Sequence, residues 1–85
     1  SINSDALTKA SEYGQLEVVK YLVDQGAIID NYALIKASKY GHLDVVKYLM
    51  ELGANIHEND DEALQKAGEY GELKTVEYLV EMGSD

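Results

Sequence analysis

The chain has 85 residues, 46% of them hydrophobic, with tyrosine as its sole aromatic type and no Cys, Pro, Trp or Phe. A chain this short forms one domain near the lower limit for a single core; without cysteine it has neither a disulfide framework nor a thiolate metal site, and a cytoplasmic or nuclear setting is expected. A net charge of −9 opposes direct binding to nucleic-acid phosphates, the apolar runs fall far short of the roughly 18 residues of a membrane span, and no secretion signal opens the chain.

The segment EYGQLEVVKYL at 12–22 returns as KYGHLDVVKYL at 39–49 and EYGELKTVEYL at 69–79. Gly14 aligns with Gly41 and Gly71, and Gly26 with Gly53 and Gly83, at spacings of 27 and then 30 residues. A period in this range marks a stacked repeat, in which each unit is one supersecondary piece unable to bury its own apolar face. The units run approximately 5–31, 32–58 and 59–85 within a single repeat domain covering 1–85.

In the first unit, a helix is predicted from about Asp5 to Tyr13, with Leu7 and Ala10 at i, i+3 and Gly14 ending it in the left-handed conformation. A second helix is predicted from Leu16 to Gln25, with Leu16, Val19, Leu22 and Val23 on one stripe and Gly26 closing it. The later units repeat this hairpin, giving six helices. Ser4 or Asp5, Asp30 or Asn31, and Asp60 or Asp61 are good N-cap types ahead of the three first helices. The small pairs Ala10-Ser11, Ala37-Ser38 and Ala67-Gly68 let first helices approach one another closely. Leucines 7, 34, 64, 22, 49 and 79 form the repeated core.

The run ALIKASKYGHLDVVKYLMELGANI at 33–56 resembles an ankyrin repeat. The resemblance rests on the small-residue first helix, Gly41-His42-Leu43, Val45-Val46-Lys47 and Gly53-Ala54-Asn55-Ile56, and it covers about 5–85. It implies an all-α, ankyrin-type solenoid of three helix-turn-helix repeats that serves as a protein–protein interaction scaffold. The departures are specific. Asp5-Ala6-Leu7-Thr8, Tyr32-Ala33-Leu34-Ile35 and Glu62-Ala63-Leu64-Gln65 stand where the family has Thr-Pro-Leu-His, so weaker stitching between units is expected. Units of 27 and 30 residues are shorter than the family's, and the deficit falls where its β-hairpin fingers belong, so these are expected to be shortened or missing. GAIIDNYAL has room only for a tight connection, whereas 59–62 can hold a short finger or turn. The 30-residue unit resembles those of ankyrin proteins of large DNA viruses, and the 27-residue step looks like a further deletion, natural or engineered.

End units of a stack face water on one side and should be more polar there. The columns Thr8/Ile35/Gln65 and Val18/Val45/Thr75 both read as such caps. Charge is uneven as well: two lysines against five acids in 5–31, three against three in 32–58, and two against eight in 59–85 give −3, 0 and −6. A protein partner with a basic surface would be steered toward the last third.

The resemblance also implies a site. The two positions before each repeat glycine, Glu12 and Tyr13, Lys39 and Tyr40, Glu69 and Tyr70, correspond to groove-lining positions of the family, with the finger-region residues Asn31, Asn59, Asp60 and Asp61 at the rim. Stacking would set the three tyrosines roughly 10 Å apart, as rigid amphipathic contacts for a protein partner. The alternative is that they are inherited copies that cover a helix end. Tyr21, Tyr48 and Tyr78 read as packing, and Lys9, Lys36 and Lys66 as a solvated stripe.

His42 and His57 occupy different repeat positions, so no metal site is expected. ENDDE at 58–62 lacks the glycine and spacing of a calcium loop and reads as acids near a helix start. No nucleophile–base arrangement or phosphate-cradling loop is present, so neither an enzyme nor a cofactor is expected. A second reading is an engineered or trimmed array without a natural partner, self-associating through exposed repeat ends. If the short first linker prevents units one and two from stacking, helix exchange between molecules is expected.

Overall fold

A computed structural model describes residues 4–54 and 61–83. They form α1 (Ser4–Glu12), α2 (Leu16–Asp24), α3 (Asn31–Lys39), α4 (Leu43–Glu51), α5 (Glu62–Glu69) and α6 (Leu73–Gly83). Among the described residues there is no strand, and the molecule measures 35 × 22 × 18 Å.

The helices end as the glycines predict, with one exception. After α1 the Gly14 amide donates to the Ser11 carbonyl at 3.1 Å and the Gln15 amide to the Ala10 carbonyl at 2.9 Å. This pair satisfies carbonyls that a helix end leaves open. The same pair recurs at Gly41 and His42, at Gly71 and Glu72, at Gly26 and Ala27, and at Gly53 and Ala54. Gly83 behaves differently: it belongs to α6 as its last residue.

The predicted caps divide. Asp30 is a working N-cap whose carboxylate accepts from the Tyr32 and Ala33 amides at 3.1 and 3.3 Å. Asp61 stands at the N-cap of α5 with φ 61° and makes no side-chain capping bond. The α1 cap lies outside the described residues, because that helix already begins at Ser4. Residues 27–30 form a direct connection in place of a finger. The expected short finger at 59–62 and the acids at 58–60 fall mostly outside the described residues.

First helices carry the stack. α1 packs on α3 and α3 on α5 far more closely than the second helices pack on one another. Small side chains permit this: Ala10, Ser11, Ala37, Ser38 and Ala67 are all buried, which brings helix axes together. The short first linker therefore does not keep unit one off unit two, and the condition for helix exchange is not met. Of the predicted core leucines, Leu7, Leu34, Leu49 and Leu79 are fully buried. Leu22 and Leu64 are only partly buried, because each points toward an end of the stack.

The two cap columns separate in the same way. Thr8 and Gln65 flank the buried Ile35 and keep contact with water, as a polar cap requires. The other column runs opposite to expectation: Val18 is 47% exposed while Thr75 is buried. That position faces the preceding unit, so its open member belongs to the first unit, and the threonine lies inside.

The interfaces also hold contacts that the missing Thr-Pro-Leu-His motif did not announce. The His42 imidazole lies 2.9 Å through Nε2 from the Glu12 carbonyl; since a carbonyl only accepts, Nε2 carries the proton. Along the second helices, Lys20 Nζ lies 5.9 Å from the centre of the Tyr48 ring and Lys47 Nζ 5.7 Å from that of Tyr78, within cation–π range. Tyr48 and Tyr78 are half-buried against the core, whereas Tyr21, in the first described unit, is exposed. Burial pushes the Tyr78 phenol above its ordinary pKa, and the Glu51 carboxylate adds to the rise.

Gly14 and Gly71 allow a controlled comparison. Their φ values are 70° and 73°, but a Cβ on Gly14 would stand 2.5 Å from His42 Nδ1, while one on Gly71 would meet nothing within 4 Å. Gly71→Ala should cost about 1–2 kcal/mol for the left-handed backbone alone. Gly14→Ala should cost about 1–3 kcal/mol more, through the displaced ring and its lost hydrogen bond. Urea denaturation of both variants measures this; equal losses would mean that the His42 ring swings aside freely.

Candidate functional site

The tyrosine before each repeat glycine lies just past the end of a first helix, at the C-cap in α3 and α5. The glycine turn then leads the backbone away, so the ring is left at the edge of the stack. Tyr13, Tyr40 and Tyr70 are 65%, 41% and 49% exposed. All three are presented to solvent at the same end of consecutive first helices.

They do not form an evenly spaced ladder. Tyr40 and Tyr70 meet edge to face with centroids 6.1 Å apart, much closer than the roughly 10 Å expected from helix spacing. The reason is Lys39, whose Nζ lies 5.2 Å from the centre of each ring. One cation shared by two rings draws their tips together, since each ring offers it a negative face.

Between the first and second units the arrangement is open. Glu12, Tyr13, Tyr40 and His42 line a cleft of about 480 Å³. The Glu12 side chain is mostly buried, at 17% exposure, and its carboxylate reaches Lys9 Nζ at the long distance of 3.8 Å. Such a pair contributes little in water. In repeat register Glu12 occupies the place that Lys39 holds one unit later, so the two notches between consecutive tyrosines carry opposite charge.

Glu69, the third member of that column, pairs with Lys66 at 3.5 Å. Lys9 and Lys66 thus pair within their own helices, and the lysine column is not a purely solvated stripe. In α3 the i+3 partner of Lys36 is Lys39, which turns to the rings. The finger-region residues stand elsewhere: Asn31 opens α3, and Asp61 stands at the N-cap position of α5, at the opposite ends of these helices from Lys39 and Tyr70. Asn59 and Asp60 lie outside the described residues. The residue that sequence reasoning missed is His42. In the sequence it stands only within the Gly41-His42-Leu43 motif, and the fold places it in the cleft wall as well; the change Gln15/His42/Glu72 along an otherwise regular column is the available signal.

Among the described residues, no group of three or more His, Asp or Glu side chains is arranged to hold a metal ion, and His57 lies outside them. No helix among them is long and apolar enough to cross a membrane. Compared with known proteins, residues 7–85 match the family model described as "Ankyrin repeats (3 copies)". No curated protein matches the chain.

The shared-cation geometry has a titration signature. The Tyr70 hydroxyl, accepting from the Lys39 ammonium, holds that group above the ordinary lysine pKa; desolvation opposes this, and the Tyr40 and Tyr70 oxygens reinforce it. A pKa raised in the folded state contributes stability below the unfolded value, and the contribution is lost as pH rises through the folded value. In Tyr70→Phe the Lys39 ammonium should therefore titrate at lower pH than in the parent, followed by NMR of its side-chain carbons. An unchanged titration would show that the hydroxyl is not its partner.

Proposed function

The chain belongs to the ankyrin repeat family, whose members generally act as protein–protein interaction modules and are typically not enzymes, and from that premise we propose that it is a scaffold binding a protein partner along the tyrosine edge. The observation that carries this reading is the alignment of Tyr13, Tyr40 and Tyr70 at the same end of three stacked first helices, each of them exposed to water. Tyrosine supplies contact area at low entropic cost, and a rigid helix stack holds the three rings in place before a partner arrives.

In this reading Glu12, Tyr13, Lys39, Tyr40, Glu69 and Tyr70 face the concave side of the solenoid and contact the partner. Asn31, Asn59, Asp60 and Asp61 form a separate rim at the other end of the first helices. The charge of −6 on the last unit favours a partner with a basic surface. The setting proposed is cytoplasmic or nuclear. Replacing Tyr13, Tyr40 and Tyr70 together by Ala should reduce affinity for partners isolated with the parent protein by a hundredfold or more, while leaving helical circular dichroism intact. Tyr21→Ala, an exposed tyrosine on α2, is the control; retained affinity in the triple variant would reject the edge.

A second reading is supported by the ends of the stack, as an engineered or trimmed array that associates with itself. Leu73 and Val80 are 67% and 47% exposed, although their counterparts Leu16, Val23 and Met50 are half-buried against the core and Leu43 is half-buried as well. Val18 and Tyr21 are open at the other end. Each end thus presents the surface that an internal interface covers, so copies could stack head to tail without closing. Sedimentation should then show a concentration-dependent series of oligomers that Leu73→Lys disperses; a monomer at millimolar concentration would reject it.

A further inference from the structure

The two notches between consecutive tyrosines are built from the same backbone and differ at two positions: Glu12 against Lys39, and His42, packed beside Gly14, against Glu72, packed beside Gly41. Between units two and three, Lys39 fills the notch and rests on Tyr40 and Tyr70 at 5.2 Å from each ring centre. Between units one and two, its repeat counterpart is Glu12, and the space is an open cleft lined by Glu12, Tyr13, Tyr40 and His42. The molecule therefore displays, in its second notch, the kind of group that its first notch lacks.

We propose that the cleft between the first and second units takes a lysine or arginine side chain of a protein partner, with its aliphatic stem against Tyr13 and Tyr40 and its charge on the Glu12 carboxylate. This deepens, and rests on, the reading of the tyrosine edge as the binding surface. Three properties of the cleft select a cation. Glu12 is its one carboxylate, held mostly out of water, where its charge is less screened. Tyr13 and Tyr40 line it, and a tyrosine ring attracts a cation to its face, as Lys39 shows at Tyr40 and Tyr70. His42 is kept in place by its bond to the Glu12 backbone, so it shapes the wall without using the carboxylate. Lys39 itself is engaged with Tyr40 and Tyr70 and does not line the cleft. At about 480 Å³ the space falls in the range of small-ligand sites, ample for one long side chain.

The test uses N-acetyl-trilysine amide, since the internal occupant is a lysine, and the same peptide with all three ammonium groups acetylated. At low salt the charged peptide should bind saturably and shift the NMR signals of Glu12, Tyr13, Gly14, Tyr40 and His42, and the acetylated peptide should not. Glu12→Gln should weaken binding about fivefold or more. Glu12→Lys, which copies the neighbouring notch, should abolish the shifts at the cleft. Glu17→Gln, an exposed acid on α2, should change affinity by less than twofold, and circular dichroism should show all three variants folded. The proposal is overturned if no saturable binding is seen, if the acetylated peptide binds equally, or if Glu12→Gln matters no more than Glu17→Gln. A natural partner that is lost by the triple tyrosine variant but kept by Glu12→Lys would sink the cleft and leave the edge standing. Trilysine seated at the cleft, with the partner retained by the triple variant, would do the reverse.

Discussion

The stack depends on a backbone closure in which the chain leaves a helix through a left-handed glycine and the next amide returns to a carbonyl five residues back. After α1, α3 and α5 this bond has the same length, 2.9 Å, from Gln15 to Ala10, from His42 to Ala37 and from Glu72 to Ala67. The closure fixes what the flanking residues face. The residue before the glycine is left at a helix end beside its copies in other units, and the residue after it is turned toward the unit before. The tyrosine column and the Gln15/His42/Glu72 column are both products of that geometry. Glu72 illustrates the second, because its carboxylate occupies the space that a Cβ on Gly41 would need, as the His42 ring does beside Gly14.

Close approach of the first helices carries a cost that the composition alone does not reveal. Ser11 and Ser38 are fully buried, and neither hydroxyl finds a hydrogen-bond partner. A buried polar group left in this state costs about 1–3 kcal/mol. Alanine would fill nearly the same space, so packing does not explain serine at these positions. The offset comes from the middle unit, which is covered on both sides and buries Leu34, Ile35, Val45, Val46 and Leu49 together. In a small domain with few other sources of stability, that unit holds the ends in place.

Much of this was legible in the sequence, because repetition converts weak local signals into strong ones. Three copies of one wording, each with glycines at fixed places, specify six helices and their order, and the small pairs in the first helices identify which helices stack. The errors share a physical origin. Val18 and Thr75 were misread because periodicity shows that a position is buried but not which neighbour buries it. The 10 Å tyrosine spacing followed from helix axes, whereas ring separation is decided at the tips of side chains, where Lys39 acts. His42 was hidden because its partner is the backbone carbonyl of Glu12, and a carbonyl carries no sequence signal. The cleft is harder still to foresee, since it depends on the differences between Glu12 and Lys39 and between His42 and Glu72 once they are placed in equivalent notches.

The lysine–tyrosine contacts along the second helices also give the molecule a grammar. In each, the cation belongs to the earlier unit and the ring to the later one: Lys20 to Tyr48, then Lys47 to Tyr78. The third unit carries Glu77 where the others carry lysine. Moved into the middle, it would set a carboxylate against the negative face of a tyrosine ring, turning attraction into repulsion. Near-identical as they read, the three repeats are therefore not interchangeable bricks, and the order in which the chain spells them is part of what the fold encodes.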